Sequence, residues 1–248
     1  MSTSPVAAVF FDVDFTLIYP GPTFQGVGYR RFCEGHGIVV DEGRCPDAVR
    51  AASALLDEHQ EHVYEDAIFV RYTRRIIEEM GGTGPALDAC AREMYAEWAA
   101  CHHFFLYDDV IEVLRLLAAR GLRLGLISNS HRPMAAFQEH FGLGGIITAA
   151  VSSADHGRMK PHPSIFEEAL TQAGVRAHEA VMVGDSLSHD IEGARRVGMR
   201  GVLVHRSSDP VPAGAGTYDV PVVRSLAELP ALLLAADPTS PSRGARPG

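Results

Sequence analysis

The sequence lacks the features that mark several large classes of protein. Its 248 residues include only four cysteines and no Cys-x-x-Cys spacing, which argues against a disulfide framework and indicates free thiols. No apolar run approaches membrane-spanning length, and the N-terminus lacks the basic segment of a signal peptide. The net charge of −9 argues against a broad basic surface for nucleic acid. We therefore expect a cytoplasmic protein that contacts neither membranes nor nucleic acids, and the sequence leaves its oligomeric state open.

The composition is that of an ordinary globular protein, with 46% hydrophobic and 21% charged residues. Residues 6–11 are uncharged and rich in β-branched and aromatic side chains, which predicts a buried strand. Asp12, Asp14 and Thr16 follow this strand. Ligands of an open parallel sheet bind at the carboxyl ends of its strands, so the two carboxylates can face a ligand or a metal.

Two different patterns divide the rest of the chain. Residues 23–100 carry four successive amphipathic helical faces with no strand between them, which predicts a small helical bundle inserted after the first strand. Strands and helices then alternate, which predicts an α/β fold with a doubly wound parallel sheet. The predicted core domain covers residues 1–20 and 105–237, and the helical domain covers 21–104. Residues 238–248 are rich in Pro, Ser, Gly and Arg and are expected to be disordered.

Further polar residues follow the other predicted strands. Ser128 and Asp185 come directly after predicted strands, Lys160 lies in the loop after another, and Asp190 follows Asp185 closely. Since the carboxyl ends of parallel strands meet at one edge of a sheet, we expect these side chains to share a site with the first pair of carboxylates.

The combined set has the chemistry of phosphoryl transfer. Carboxylates crowded into one crevice repel one another unless a cation intervenes, and Mg²⁺ is the hard cation that carboxylate oxygens suit. A serine hydroxyl and a lysine ammonium are hydrogen-bond donors for an anion. A site that holds carboxylates, a metal and an anion pocket is equipped for phosphoryl transfer, with a carboxylate as the nucleophile.

These residues resemble the haloacid dehalogenase-like (HAD) hydrolase superfamily, whose four motifs the chain matches in order. The matching segments are Asp12-Val13-Asp14-Phe15-Thr16, Ile127-Ser128-Asn129, Lys160-Pro161-His162-Pro163 and Gly184-Asp185-Ser186-Leu187-Ser188-His189-Asp190. The resemblance covers residues 6–205, with the helical insertion at the place of the family's α-helical cap domain. It implies a Rossmann-like sheet of order 5-4-1-2-3, with Asp12 beside the topological switch point.

The resemblance also implies a role for each polar residue. Asp12 attacks phosphorus, while Asp14 protonates the leaving oxygen and then activates water against the aspartyl-phosphate. Thr16 braces the loop. The phosphate-binding residues that the resemblance implies are Thr16, Ser128, Asn129 and Lys160.

The implied cofactor is Mg²⁺, and the implied reaction is hydrolysis of a small phosphorylated metabolite. Asp14 reaches the metal through its backbone carbonyl, and Asp190 orients either Asp185 or Lys160. The metal-site residues that the resemblance implies are Asp12, Asp14, Asp185 and Asp190.

Other reactions are known on this fold. Members that cleave carbon–halogen bonds typically lack the second carboxylate, so Asp14 favours a phosphatase over a dehalogenase, because an alkoxide leaving group benefits from a general acid. A phosphomutase shares all four motifs, and a catalytically silent binding protein is the alternative from a different class. Phe15 and His189 replace the commoner Gly and Asn, which leaves the size of the pocket open. The adjacent pair His102-His103 is interpreted as structural rather than metal-binding.

Overall fold

The structure of the protein is a computed structural model that describes residues 5–57, 61–207, 210–211, 215 and 220–234. The predicted disordered tail, 238–248, and the last residues of the predicted core, 235–237, lie outside these ranges. None of the helices within the described ranges is long and apolar enough to cross a membrane.

The first strand, β1 (Ala8–Phe11), lies at the centre of a parallel sheet and is buried along its whole length. Its neighbours are β4 (Arg123–Ser128) and β6 (Ala180–Gly184), and both pair with it in parallel. A parallel sheet needs apolar cover on both faces, which is why this strand is apolar at every position rather than at alternate ones.

The sheet continues outward on both sides of this centre. β5 (Ile147–Ser152) pairs with β4, while β7 (Arg200–Val204) and then β8 (Val222–Val223) extend the other side. The first five parallel strands in chain order therefore stand in the order 5-4-1-2-3, as predicted. The sixth strand, β8, was not predicted, because two residues are too few to show a strand pattern.

Helices cover both faces of the sheet, which confirms the doubly wound arrangement. Val9 and Phe11 belong to one apolar cluster with Leu114 of the helix that precedes β4, whereas Ala8 and Phe10 belong to a second cluster on the opposite face. The helices that follow β1 in the sheet-forming part of the chain are α5 (Val110–Ala119), α6 (Met134–His140), α7 (Ser153–His156), α8 (Pro163–Ala173), α9 (Gly193–Arg196) and α10 (Leu229–Leu234).

The helical insertion enters and leaves through a two-stranded ribbon that the sequence did not reveal. β2 (Ile18–Pro20) pairs antiparallel with β3 (Phe104–Leu106), so the two connections run side by side. Among the described residues between them, four α-helices lie in the part of the chain where four helical faces were predicted. They are α1 (Gly26–Gly35), α2 (Cys45–Asp57), α3 (Asp66–Glu79) and α4 (Leu87–Glu97).

The turn after β6 departs from the continuous helix that the sequence predicts over 187–197. Residues Leu187–Glu192 form a π-helix, and only then does α9 begin. Wider π-turns of this kind occur frequently at functional sites. Here the wide turn carries Asp190 back toward the end of β6, where it contacts the backbone of Ser186.

Candidate active site

The register of the sheet places three of the sequence-predicted site residues at one edge. Phe11, the last residue of β1, lies opposite Leu126 and Val183. Asp12 directly follows Phe11, and Ser128 and Asp185 lie two residues after Leu126 and Val183. The three residues therefore lie at the same edge of the sheet. The backbone N–H of Asp12 donates to the carbonyl of Val183 (2.9 Å), which fixes the start of its loop.

Lys160 joins two of the carboxylates. Its Nζ donates to Asp12 Oδ1 (2.5 Å) and to Asp190 Oδ1 (2.6 Å), and the residue is 2% exposed. Burial alone lowers the pKa of Lys160, but the charges of Asp12 and Asp190 outweigh it and raise that pKa above its ordinary value. The lysine is therefore a fixed positive charge between two acids.

The site carries more negative charge than this one ammonium balances. Carboxylate oxygens of Asp12, Asp185 and Asp190 lie within 4.8 Å of one another. Burial raises the pKa of Asp12 to about 7, with Asp190 adding to the rise and Lys160 opposing it. The pKa of Asp185 is also raised well above its usual value by partial loss of water around its carboxylate and by the nearby carboxylates of Asp12 and Asp190, although the residue as a whole keeps exposed surface. A divalent cation fits this donor set, since oxygen ligands of this type suit Mg²⁺.

Asp190 is held in place on both of its oxygens. Oδ1 accepts from Lys160, and Oδ2 accepts from the backbone N–H of Ser186 (3.0 Å). A Cβ on Gly184 would lie 2.2 Å from Oδ2, so only glycine at the end of β6 allows this approach. This geometry fits a residue that positions Lys160, while Asp185 presents its carboxylate at the exposed side of the cluster.

The residues predicted to hold phosphate differ in what their side chains do. Ser128 is buried, and its hydroxyl donates to the Ser130 hydroxyl (3.0 Å). The Asn129 side chain instead holds the backbone of Lys160, donating to its carbonyl (2.9 Å) and accepting from its N–H (2.7 Å). Thr16 has no exposed surface, and its carbonyl accepts two hydrogen bonds from Arg206 (2.9 and 3.2 Å), which fits a residue that braces the loop.

Phe15 adopts a backbone conformation that favours glycine. Its φ is +63°, in the left-handed region that strains most side chains. This explains why the commoner residue at this position in the family pattern is Gly. Phe15 is 43% exposed, and its ring centroid lies 6.5 Å from that of Trp98, which follows the last residue of α4. The bulk that the sequence places here therefore contacts the helical insertion.

Arg132 is a site residue that the sequence reasoning missed. Its guanidinium is fully buried and donates to both oxygens of Asp14 (3.1–3.2 Å). It also donates to the carbonyl of Trp98 (2.9 Å) and lies over the Phe104 ring, 4.5 Å from the centroid. Arg132 thus ties the loop after β1 to the end of the helical insertion. The available signal was an arginine four residues after Ser128 and directly before Pro133.

We expect the pair Arg132–Asp14 to contribute measurably to stability. The variant Arg132→Gln should lose about 3 kcal/mol of unfolding free energy, since it leaves a largely buried carboxylate without its counter-charge. Adding Asp14→Asn should cost much less in the Arg132→Gln background than in the wild-type protein. Urea unfolding of the four proteins measures this cycle. Losses that simply add would show that the two side chains do not stabilise each other.

The helical insertion also contacts the loop that leads to Lys160. The backbone N–H of Met159 donates to the carbonyl of His62 (2.8 Å), and that of Tyr64 donates to the carbonyl of Gly157 (3.1 Å). Arg158 donates to the Glu61 carbonyl (2.8 Å). The insertion therefore reaches the edge of the sheet from two sides, through this segment and through the end of α4.

The pair His102-His103 and His189, which the sequence singled out, both make contacts with other protein side chains. His103 contacts the Thr23 hydroxyl through Nδ1 (3.0 Å) and the Glu97 carboxylate through Nε2 (2.9 Å). His102 and His103 could hold a metal together with Glu97, but both ring nitrogens of His103 already have protein partners. His189 contacts the Ser186 hydroxyl (3.1 Å) within the π-turn.

The sequence and fold identify the family. The chain belongs to the haloacid dehalogenase-like hydrolases, whose family model matches residues 6–198. A solved structure of a HAD phosphatase from Thermococcus onnurineus has a TM-score of 0.62 and 25% identity, covering 92% of this chain and 98% of that one.

Two relatives with named activities extend this result. The N-acylneuraminate-9-phosphatase of Mus musculus is 30% identical over 96% of this chain and 97% of its own length. The glyceraldehyde 3-phosphate phosphatase of Methanopyrus kandleri is 32% identical over 81% of this chain and 84% of its own.

Proposed function

We propose that the protein is a Mg²⁺-dependent phosphatase that hydrolyses a small phosphorylated metabolite through an aspartyl-phosphate on Asp12. The observation that carries the proposal is the contact of Lys160 with Asp12, with a second carboxylate, Asp14, on the same loop. The similarity to two phosphatases of small phosphorylated metabolites supports the reaction class. Asp14 also favours ester hydrolysis over dehalogenation, because an alkoxide needs a proton on leaving.

The reaction runs in two balanced steps. In the first, an oxygen of Asp12 bonds to phosphorus, the ester P–O bond breaks, and Asp14 gives its proton to the leaving oxygen. In the second, Asp14 takes a proton from water, the water oxygen bonds to phosphorus, and Asp12 is released with inorganic phosphate. Lys160 balances the charge of Asp12 and the phosphoryl oxygens throughout, and Asp190 keeps Lys160 in place.

The metal site that we propose uses the carboxylates of Asp12 and Asp185 and the backbone carbonyl of Asp14. When bound, Mg²⁺ supplies charge neutralisation between the phosphoryl oxygens and the nucleophile. Asp190 belongs to the same acidic cluster, and its two occupied oxygens assign it to orienting Lys160. Ser128 and the backbone N–H groups after it are the proposed donors to the phosphate.

The raised pKa of Asp12 makes the effect of Mg²⁺ on stability depend on pH. The ordinary pKa of this carboxyl is 3.8 and its folded value is about 7, so the folded state holds the proton more tightly. Without a cation, ionisation of Asp12 therefore weakens folding as pH rises from about 4 to about 7. Bound Mg²⁺ offsets this loss, and we expect it to raise Tm more at about pH 8 than at about pH 5.

Thermal unfolding with and without Mg²⁺ measures this difference. Asp185→Asn should remove most of the Mg²⁺-induced rise in Tm, whereas Asp108→Asn, a change at an exposed position, should keep it. A rise in Tm that is equal at both pH values, and equal in the Asp185→Asn variant, would place the cation elsewhere.

We further propose that the helical insertion over 21–104 acts as a cap over the site. It contacts Arg132 through Trp98, and it contacts the segment before Lys160 through residues 61–64. A cap in this position excludes water and contacts the leaving group.

The experiment that tests the proposed function is phosphate release from a generic aryl phosphate. We expect hydrolysis with Mg²⁺, none in excess chelator, and full recovery when Mg²⁺ is restored. Undiminished turnover in excess chelator would rule out the metal-dependent mechanism. No release under any condition would instead favour a catalytically silent binding protein.

A further inference from the structure

A cavity of about 150 Å³ lies between the site and the helical insertion. Its floor is the loop residues Asp14 and Phe15 and the segment 129–131, and its walls come from α1, α2, α3 and α4. It therefore begins at the carboxylate that is proposed to protonate the leaving oxygen, and its lining includes neither Asp12 nor Lys160. The wall residues that carry the argument are Phe24, Leu56, Phe69, Tyr95 and Trp98.

The walls are mostly aromatic carbon and form flat surfaces. The rings of Phe69 and Tyr95 are parallel within 2°, with centroids 5.5 Å apart. On another side Phe24 and Trp98 are in ring contact at 4.5 Å, and Phe15 lies beside Trp98. Aromatic surfaces arranged in this way favour an apolar or planar guest.

No lysine or arginine lines the cavity among the described residues. The nearby guanidinium of Arg132 is already bonded to Asp14 and to the carbonyl of Trp98. Burial lowers the pKa of His131 below its ordinary value, which favours the uncharged ring. Behind the wall, the carboxylate of Asp66 accepts from the Tyr95 hydroxyl (3.3 Å), which adds negative charge.

An anionic group on the substrate would have no counter-charge in this cavity. Burying an ion in apolar surroundings without a partner is strongly unfavourable, whereas burying a ring or an alkyl group is favourable. The cavity therefore discriminates by charge as well as by shape.

We propose that the substrate is a phosphate monoester whose leaving group has an apolar or aromatic body and carries no second phosphate or carboxylate. This inference rests on the proposed function, because it concerns the group that Asp14 protonates. It assigns the selection of that group to the cavity walled by α1, α2, α3 and α4. Bisphosphates and phosphorylated carboxylic acids are thereby excluded as preferred substrates.

A pair of synthetic esters tests the proposal on the wild-type enzyme with Mg²⁺. The first is para-carboxyphenyl phosphate, and the second is its methyl ester, which has nearly the same shape and no charge. We expect kcat/KM to be roughly 100-fold or more higher for the methyl ester, a ratio set by the unpaired charge in the cavity. The carboxylate does not make the phenol an intrinsically poor leaving group, so chemistry alone does not produce such a ratio.

A variant pair shows whether the cavity is responsible. Leu56, half-buried on α2, lines the cavity, so Leu56→Lys introduces a counter-charge and Leu56→Gln is the uncharged control. We expect Leu56→Lys to reduce the ratio of kcat/KM between the methyl ester and the carboxylate ester by about tenfold, because the new ammonium can pair with the substrate carboxylate. Leu56→Gln should leave this ratio unchanged.

The outcomes separate the two proposals. Equal kcat/KM for the two esters in the wild-type enzyme overturns the inference and leaves the phosphatase function standing. Hydrolysis of neither ester overturns the proposed function itself. If Leu56→Lys does not fold, the wild-type comparison still decides the question of charge.

Discussion

Replacing Asp12 by asparagine is expected to reduce hydrolysis of every phosphate ester to background, by at least roughly 10³-fold. The amide keeps the volume of the side chain and can still accept a hydrogen bond from Lys160. It has no carboxylate oxygen to attack phosphorus, so neither the first step nor the second takes place. Steady-state phosphate release, measured with one alkyl and one aryl phosphate, gives the size of the loss.

The control for this variant makes the same chemical change away from the site. Asp47 lies on an exposed part of α2, where 83% of its side chain is accessible to solvent. The variant Asp47→Asn should retain full activity. Release of one equivalent of phenol by Asp12→Asn would show that the nucleophile is a different residue.

The variant Asp14→Asn is expected to separate the two classes of substrate. With an alkyl phosphate it should lose activity by ~10²–10⁴-fold, since a strongly basic leaving oxygen needs the proton that Asp14 supplies. With an aryl phosphate the first step should survive, because a phenolate leaves without protonation. The second step still needs a base, so the protein should release one equivalent of phenol and then stop.

Rapid mixing with an aryl phosphate measures this burst. Its amplitude should equal the concentration of active protein, and the following steady rate should be close to zero. Full aryl-phosphate turnover by Asp14→Asn would show that another group activates water. Urea unfolding of the Asp14→Asn and Arg132→Gln variants shows whether a loss of activity comes from the missing proton transfer or from a destabilised loop after β1.

The site at this edge of the sheet was predictable from the sequence because Asp12, Ser128 and Asp185 each follow a recognisable strand. Asp12 and Asp185 both stand directly after apolar runs, and such runs become neighbouring parallel strands. The order 5-4-1-2-3 was implied by the family resemblance alone, whereas the helical insertion was predicted from four successive helical faces with no strand between them. Lys160 was predicted to share the site, and in the structure its Nζ contacts Asp12 and Asp190.

The features that the sequence did not reveal depend on contacts between distant segments. Arg132 and Asp14 are 118 residues apart, and nothing local distinguishes this arginine from a solvated one. The wide turn at Asp190 departs from the helical pattern because its carboxylate bonds to Lys160 and to the Ser186 backbone. The cavity is formed jointly by helices and two loops, so its aromatic walls could be interpreted from the sequence only as core residues.

The most direct test of the account is to locate the phosphoryl group in the stalled Asp14→Asn protein. After incubation with an aryl phosphate and Mg²⁺, followed by acid quenching, intact-mass measurement should show the addition of one phosphoryl group per chain. Fragmentation of the peptide should place that group on Asp12. A phosphoryl group on another residue, or an unmodified protein after a full burst of phenol, would contradict the proposed mechanism.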